Sequence, residues 1–197
     1  MGGHDRLVMT TRAYRLVTAW LIAPWALQAT RPHGDVLEIG AGTGAMAHHL
    51  LRVTPDVRMV VTDFDAEMCS TASRVLSRFG PKVVVEQADA KHLPFEDDSF
   101  DYVLSFLMLH HTGDWHQSVR EAIRVLRPGG RLVGFDLVAG APLHRSERFE
   151  TLLKRGELRQ FLDTLPVTSH RVRPGLANTV ERFVATKKAP EPESPVG

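Results

Sequence analysis

Val36-Leu37-Glu38-Ile39-Gly40-Ala41-Gly42-Thr43-Gly44 is the stretch whose reading decides the fold. Val36–Ile39 is a compact β-branched and apolar run ending in Gly40. Ala45–Val53 follows with Met46, Leu50 and Val53 at helical spacing. The pattern is strand, glycine-rich turn, helix. Glycine permits the sharp bend and lets backbone amides approach a ligand without interference from a Cβ. The helix N-terminus behind the turn favours negative charge. Taken alone, the motif does not separate a dinucleotide from another adenosine-containing ligand. Ala45 stands where the dinucleotide pattern carries glycine or alanine, so a nicotinamide dinucleotide stays open but is not favoured.

Outward from this turn, short β-branched runs alternate with helical patterns between Asp35 and Lys187. That alternation predicts an α/β fold with a doubly wound, mainly parallel sheet. Met59–Asp63 reads as a second strand, Val83–Val85 begins a third, and Asp101–Phe106 is a fourth. Arg131–Leu137 is a fifth strand after the Pro128-Gly129-Gly130 stop. Asp65 is placed to cap a helix burying Met68, Ala72, Val75, Leu76 and Phe79. Asp114 with Gln117 resembles a capping box ahead of Trp115, Val119, Ala122, Ile123 and Leu126. A helix is expected over about Glu147–Leu165, weakened at Gly156, followed by strands Val167–Arg173 and Thr179–Thr186. Asp63 closes the second strand about 20 residues after the glycine turn, where a carboxylate accepts hydrogen bonds from ribose hydroxyls. Asp89-Ala90 ends the third strand, positioned for an adenine edge.

At this point the chain resembles the Rossmann-like, class I S-adenosylmethionine-dependent methyltransferases, in particular the broad group that includes quinone-biosynthesis C-methyltransferases. The matching stretches are VLEIGAGTG (36–44), VVTDFDAEM (60–68), QADAKHLPFEDDSFDYVLS (87–105), LHH (109–111) and RVLRPGGRLV (124–133). The resemblance implies a Rossmann-like, seven-stranded sheet with one antiparallel strand in the C-terminal hairpin. It implies S-adenosyl-L-methionine as cofactor, with Gly40, Ala41, Gly42 and Gly44 along its methionine part and Glu38 ordering that loop. Asp63 would bind ribose, Phe64 would pack on adenine, and Asp89 would meet the adenine amino group, with Ala90 contributing backbone. Carbonyls around Ser105 and Phe106 would face the methionine ammonium.

Such an enzyme transfers a methyl group in line to O, N, S or C, and has mainly to align the reactants and exclude water. A weakly acidic acceptor would benefit from a general base. His110 and His111 follow the fourth strand, and of the two His111 is preferred for that role. Paired histidines recur here in the family whatever the substrate. The ten histidines do not form a metal site by spacing, because His48-His49 and His110-His111 are adjacent pairs without a supporting set of ligands. No metal is expected. Tyr14, Trp20, Trp25, Phe106 and Met108 are candidates for the wall of an apolar acceptor pocket, against ordinary packing. The expected function is methyl transfer to a small, apolar or aromatic molecule. The alternative is a non-catalytic S-adenosylmethionine-binding module or partner subunit.

Composition sets the outer bounds. The chain has 197 residues, enough for one α/β domain, with 43% hydrophobic and 24% charged residues. A formal net charge of +1 gives no strong signal for nucleic acid. The single cysteine, Cys69, cannot make an internal disulfide and suits a reducing cytoplasm. No transmembrane segment is expected, since Trp20–Ala26 is far shorter than the ~20 residues a membrane helix needs. The expected domains are an N-terminal helical cap (1–34, with a helix over Thr11–Ala23), a cofactor-binding domain (35–187) and a Pro/Glu-rich tail (188–197).

Overall fold

Continuous apolar runs become strands covered on both faces, as parallel sheets require. All of Val36–Ile39 is buried. Leu37 and Ile39 pack into one core cluster, while Val36 packs into the other on the opposite face. The structure, a computed structural model, describes residues 22–27, 30–139, 152–176 and 178–189. In chain order these form α1 (Ala23–Ala26), β1 (Gly34–Ile39), α2 (Ala45–Val53), β2 (Val57–Asp63), α3 (Ala66–Leu76), β3 (Val83–Gln87) and β4 (Phe100–Phe106). They continue with α4 (Trp115–Val125), β5 (Leu126–Leu137), α5 (Glu157–Leu162), β6 (Val167–Gly175) and β7 (Val180–Lys187).

The seven strands lie in the order β3-β2-β1-β4-β5-β7-β6. Neighbours from β3 to β5 pair in parallel, and β7 runs antiparallel to both β5 and β6. This is the doubly wound, Rossmann-like α/β sheet with its antiparallel strand in the C-terminal hairpin. Helices α1, α2 and α3 cover one face and α4 and α5 the other. The chain winds outward from β1 through β2 to β3, then returns to lay β4 on the other side of β1. The crevice between β1 and β4 is therefore a topological switch point, the place where such sheets bind ligands.

Local signals hold at the helix starts. The Asp65 side chain accepts from the Glu67 amide at 2.9 Å, and Asp114 accepts from the Gln117 amide at 3.1 Å. The second half of the capping box differs: the Gln117 side-chain amide donates to the Lys91 carbonyl at 3.4 Å. Val53 is 59% exposed and falls off the expected stripe of α2, where Leu51 is buried instead. The expected helix over Glu147–Leu165 is shorter: among the described residues it spans Glu157–Leu162. Gly156, at φ 77°, is its left-handed N-cap, so the chain turns there rather than running through. Residues 147–151 lie outside the described residues, as do most of the expected Thr11–Ala23 helix, Tyr14, Trp20 and the tail beyond Ala189.

The Arg127-Pro128-Gly129-Gly130 stretch, expected to stop a helix, lies within β5, and α4 ends ahead of it at Val125. Arg127 donates to Asp101 at 2.8 Å and to Asp35 at 3.0 Å, and Asp101 also accepts from the Asp35 amide at 2.8 Å. The clamp joins the starts of β1 and β4 at the edge of the sheet opposite the switch point. Its groups are partly exposed, so each pair contributes only ~0–1 kcal/mol.

Candidate functional site

The glycine turn leaves β1 and bends back through left-handed conformations. Gly40, Gly42 and Gly44 have φ of 64°, 55° and 74°. At Gly40 a Cβ would overlap Met108 Cγ, so only glycine lets the segment after β4 lie against the turn. The turn is fastened to β2 at two points. The Ala41 amide donates to the Thr62 carbonyl at 2.9 Å, and the Gly42 amide donates to Asp63 Oδ2 at 2.7 Å. Asp63 Oδ1 accepts from the Asp65 amide at 2.9 Å. Burial raises the Asp63 carboxyl above its ordinary value, against the downward pull of these amides.

Glu38 holds the turn from behind. Gly44 is the N-cap of α2 and supplies no side-chain cap. The buried Glu38 carboxylate instead accepts from the Ala47 amide in the first turn of α2. Burial pushes the Glu38 carboxyl up to about 8, the Ala47 amide pulls it down, and the neighbouring Asp63 charge raises it further. Its Oε2 has no hydrogen-bond partner among the described residues. Neither has the Oγ of Ser105, buried at the end of β4.

β3 supplies the far side. The Ala88 amide donates to the Asp63 carbonyl at 3.1 Å, which brings the end of β3 beside the end of β2. Asp89 opens a tight turn, its Oδ1 accepting from the Lys91 amide at 2.9 Å and its carbonyl from the His92 amide at 2.9 Å. Ala90 lies inside that turn, half-buried. Phe64 is 72% exposed, while its carbonyl accepts from the Gln87 side chain at 2.9 Å. A fixed backbone thus presents an uncovered aromatic ring. Neighbouring strands are ~4.8 Å apart, so the ends of β3, β2 and β1 span about 10 Å, the scale of an adenosine group. The three segments singled out in the sequence are adjacent in space.

On the other side of β1, Ser105 pairs in register with Ile39. Phe106 is half-buried, and Leu107 is a non-glycine residue at φ 53°. A short turn then carries Leu109–His111. The two histidines diverge. His110 is 3% exposed, and its Nδ1 lies 2.5 Å from Asp136 Oδ1 on β5. Asp136 Oδ2 accepts from the Leu109 amide at 2.7 Å. His111 is exposed, its ring 4.0 Å from that of His110. Sequence reasoning passed over Asp136. The available signal was a carboxylate inside the apolar run Leu132–Val138, an expensive place for a charge without a partner.

Of the expected pocket aromatics, Trp25 packs edge-on against Phe135 at 5.0 Å between ring centroids, and Phe135 lies 5.7 Å from Phe106. Met108 is buried against the glycine turn. Among the described residues no group of His, Cys, Asp and Glu could hold a metal ion, and no helix is long and apolar enough to cross a membrane.

The strand order and its switch point define a doubly wound, Rossmann-like α/β fold. Residues 36–130 match the family described as a methyltransferase domain. The chain is 36% identical over 121 residues to a ubiquinone/menaquinone biosynthesis C-methyltransferase of Bartonella tribocorum, covering 59% of this chain and 44% of that protein. It is 39% identical over 106 residues to the C-methyltransferase of the same description from Hahella chejuensis, covering 52% and 43%. This chain therefore spans less than half the length of these curated relatives. A solved structure of a Pyrococcus horikoshii protein superposes with a TM-score of 0.78 at 20% identity, covering 95% of this chain and all of that one, which shows the shared fold. Over residues 36–130 this chain is therefore similar to the S-adenosylmethionine-dependent methyltransferases.

The residues present fit the cofactor of that family. The turn has the glycines a close ligand needs, an uncommitted buried carboxylate oxygen at Glu38 lies behind it, and an exposed ring at Phe64 lies beside Asp63.

Proposed function

We propose that this chain transfers the methyl group of S-adenosylmethionine to a small, apolar or aromatic acceptor by in-line displacement. The observation that carries the reading is the 2.7 Å bond from the Gly42 amide to Asp63. It joins the glycine turn and the β2 carboxylate into one unit at the switch point. When bound, the cofactor supplies a methyl group made electrophilic by its positively charged sulfur.

This chain's residues do the rest. Asp63 accepts from the Gly42 and Asp65 amides, and its carboxylate would accept from the ribose hydroxyls as well. Phe64 stacks on the adenine ring, and Asp89 with the Ala90 backbone takes its polar edge. Gly40, Ala41, Gly42 and Gly44 let the methionine part lie close to the backbone. Glu38 holds that turn to α2. Carbonyls at Ser105 and Phe106 accept from the same ammonium. The names of the two relatives, both C-methyltransferases of quinone biosynthesis, favour an electron-rich hydroxy-aromatic ring as the acceptor class.

Calorimetric titration with S-adenosylhomocysteine, followed by transfer of labelled methyl to 1,4-naphthohydroquinone, tests the reading. Binding with labelled product supports it. Folded protein that ignores S-adenosylhomocysteine at millimolar concentration, or prefers NAD, refutes it. Binding without product on any acceptor would favour a non-catalytic module.

A further inference from the structure

We infer that the outer edge of β6 is a docking site for an extended acidic segment of a partner protein, which adds a further strand to the sheet beside residues 168–173. This edge is separate from the switch point and independent of the methyl-transfer reading.

The strand order leaves β6 at the end of the sheet, paired only with β7. In an antiparallel pair the amides and carbonyls of alternate residues point away from the neighbour, so β6 presents an open row of donors and acceptors. Pro174 has no amide hydrogen, and prolines in sheets stand with that side to solvent. The open row therefore runs over residues 168–173.

Alternate side chains along a strand share a face. Arg171 and Arg173 lie on one face of β6, and it is the face on which Arg182 of β7 stands: Arg173 is opposite Arg182 in the register, and Arg171 is opposite Val184. Cross-strand partners have Cβ atoms about 4.5–5.5 Å apart, and like charges placed so repel. No carboxylate of these strands relieves them. The acidic residues of β5, β6 and β7 are Asp136 and Glu181, an opposed pair on the other face, where Glu181 accepts from the Gly156 amide at 2.8 Å. Arg182 is held by neutral groups. Its Nη1 donates to the Trp25 carbonyl at 3.2 Å, and its guanidinium lies 4.7 Å from the centroid of the Trp25 ring. Arg171 and Arg173 are exposed and take part in no hydrogen bond or ion pair among the described residues. Elsewhere Arg58, Arg124 and Arg127 each meet a carboxylate.

Charge decides the occupant. A second copy of this edge would bring arginine against arginine, so the charge guards the edge against self-pairing. A strand with carboxylates at alternate positions meets Arg171 and Arg173 at cross-strand distance and supplies the backbone partners that the edge lacks. The residue between those carboxylates falls on the other face, beside Val172, which packs on the apolar core there. The matching segment is therefore acidic, apolar, acidic. A nucleic acid or an anionic lipid surface matches the charge but has no amide ladder to offer the edge.

The test uses the full chain and a short synthetic peptide of alternating valine and glutamate. Hydrogen exchange should slow at the β6 amides, and calorimetry should find binding that weakens as salt is raised. Arg171→Glu combined with Arg173→Glu should weaken binding at least about tenfold, and the variant should instead take the corresponding valine–lysine peptide. N-methylation of one alternate set of peptide residues leaves the charge intact and should weaken binding at least about tenfold by blocking the ladder; methylation of the other set should not. Equal binding of the two methylated peptides overturns the proposal, as does no binding at millimolar concentration. Tighter binding of an oligothymidylate or of phosphatidylserine vesicles than of the peptide overturns it too. A dimer of the chain alone that protects the β6 amides gives the edge to a second copy, with the same consequence. If the double variant does not fold, exchange and the methylated peptides on the wild-type chain decide.

Discussion

Replacing Glu38 by glutamine should make the protein more stable at alkaline pH than at acid pH, relative to wild type. Burial raises the Glu38 carboxyl from an ordinary 4.5 to about 8, so the folded protein keeps a proton over this window that the unfolded chain has released. The pKa is raised, so the stability associated with it is complete below the unfolded value and is lost as pH climbs through the folded one. Between about pH 5 and about pH 8 the loss amounts to roughly 3–4 kcal/mol at 1.36 kcal/mol per tenfold change in proton activity. The glutamine side chain in Glu38→Gln would have the same shape and an oxygen for the Ala47 amide, and it would not titrate. The substitution carries its own cost, since its amide nitrogen would lack an acceptor. That cost is the same at both pH values and cancels in the comparison. Urea unfolding of both proteins at the two pH values measures the quantity directly. The stability difference, variant minus wild type, should grow by about 3–4 kcal/mol from the lower to the higher pH. A difference that stays constant within about 0.5 kcal/mol refutes the reasoning, and the carboxylate is then solvated or paired in solution.

Three other substitutions probe the rest of the site. Asp63→Ala should weaken S-adenosylhomocysteine binding by about 1–3 kcal/mol, because it removes the acceptor for ribose and for the Gly42 amide together; an unchanged affinity in a folded variant removes Asp63 from the site. Phe64→Ala should leave unfolding stability within about 0.5 kcal/mol, as expected for an exposed side chain, yet lower affinity by roughly 0.5–1.5 kcal/mol through the lost ring contact. A large drop in stability with no change in affinity would make Phe64 a packing residue. Gly40→Ala should destabilise by about 2–4 kcal/mol, combining left-handed strain with the clash against Met108. Adding Met108→Ala should relieve the clash with Cγ but not that with Cβ, and complete recovery in thermal melts would show that neither the backbone conformation nor the remaining contact carries a cost.

What the sequence by itself determined is local. The Val36–Gly44 strand and turn, the caps at Asp65 and Asp114, and the distances along the chain to Asp63 and Asp89 were all legible. Each depends on residues within a few positions of one another, where backbone sterics, periodicity and side-chain capping act directly. The reading failed where a local pattern had two outcomes. Gly156 could weaken a helix or begin one, and Val53 could end a buried stripe or face outward; packing chose the second each time. Only the tertiary structure decided the long-range pairs. Glu38 as the cap of α2 requires the helix to fold back over its own strand, and Gly42 meets Asp63 only because β1 and β2 are neighbours. His110 and Asp136 lie 26 residues apart, and nothing near either names the other. They meet because β5 settles beside β4, a placement set by burial of the whole sheet between its two helical layers rather than by any short stretch of chain.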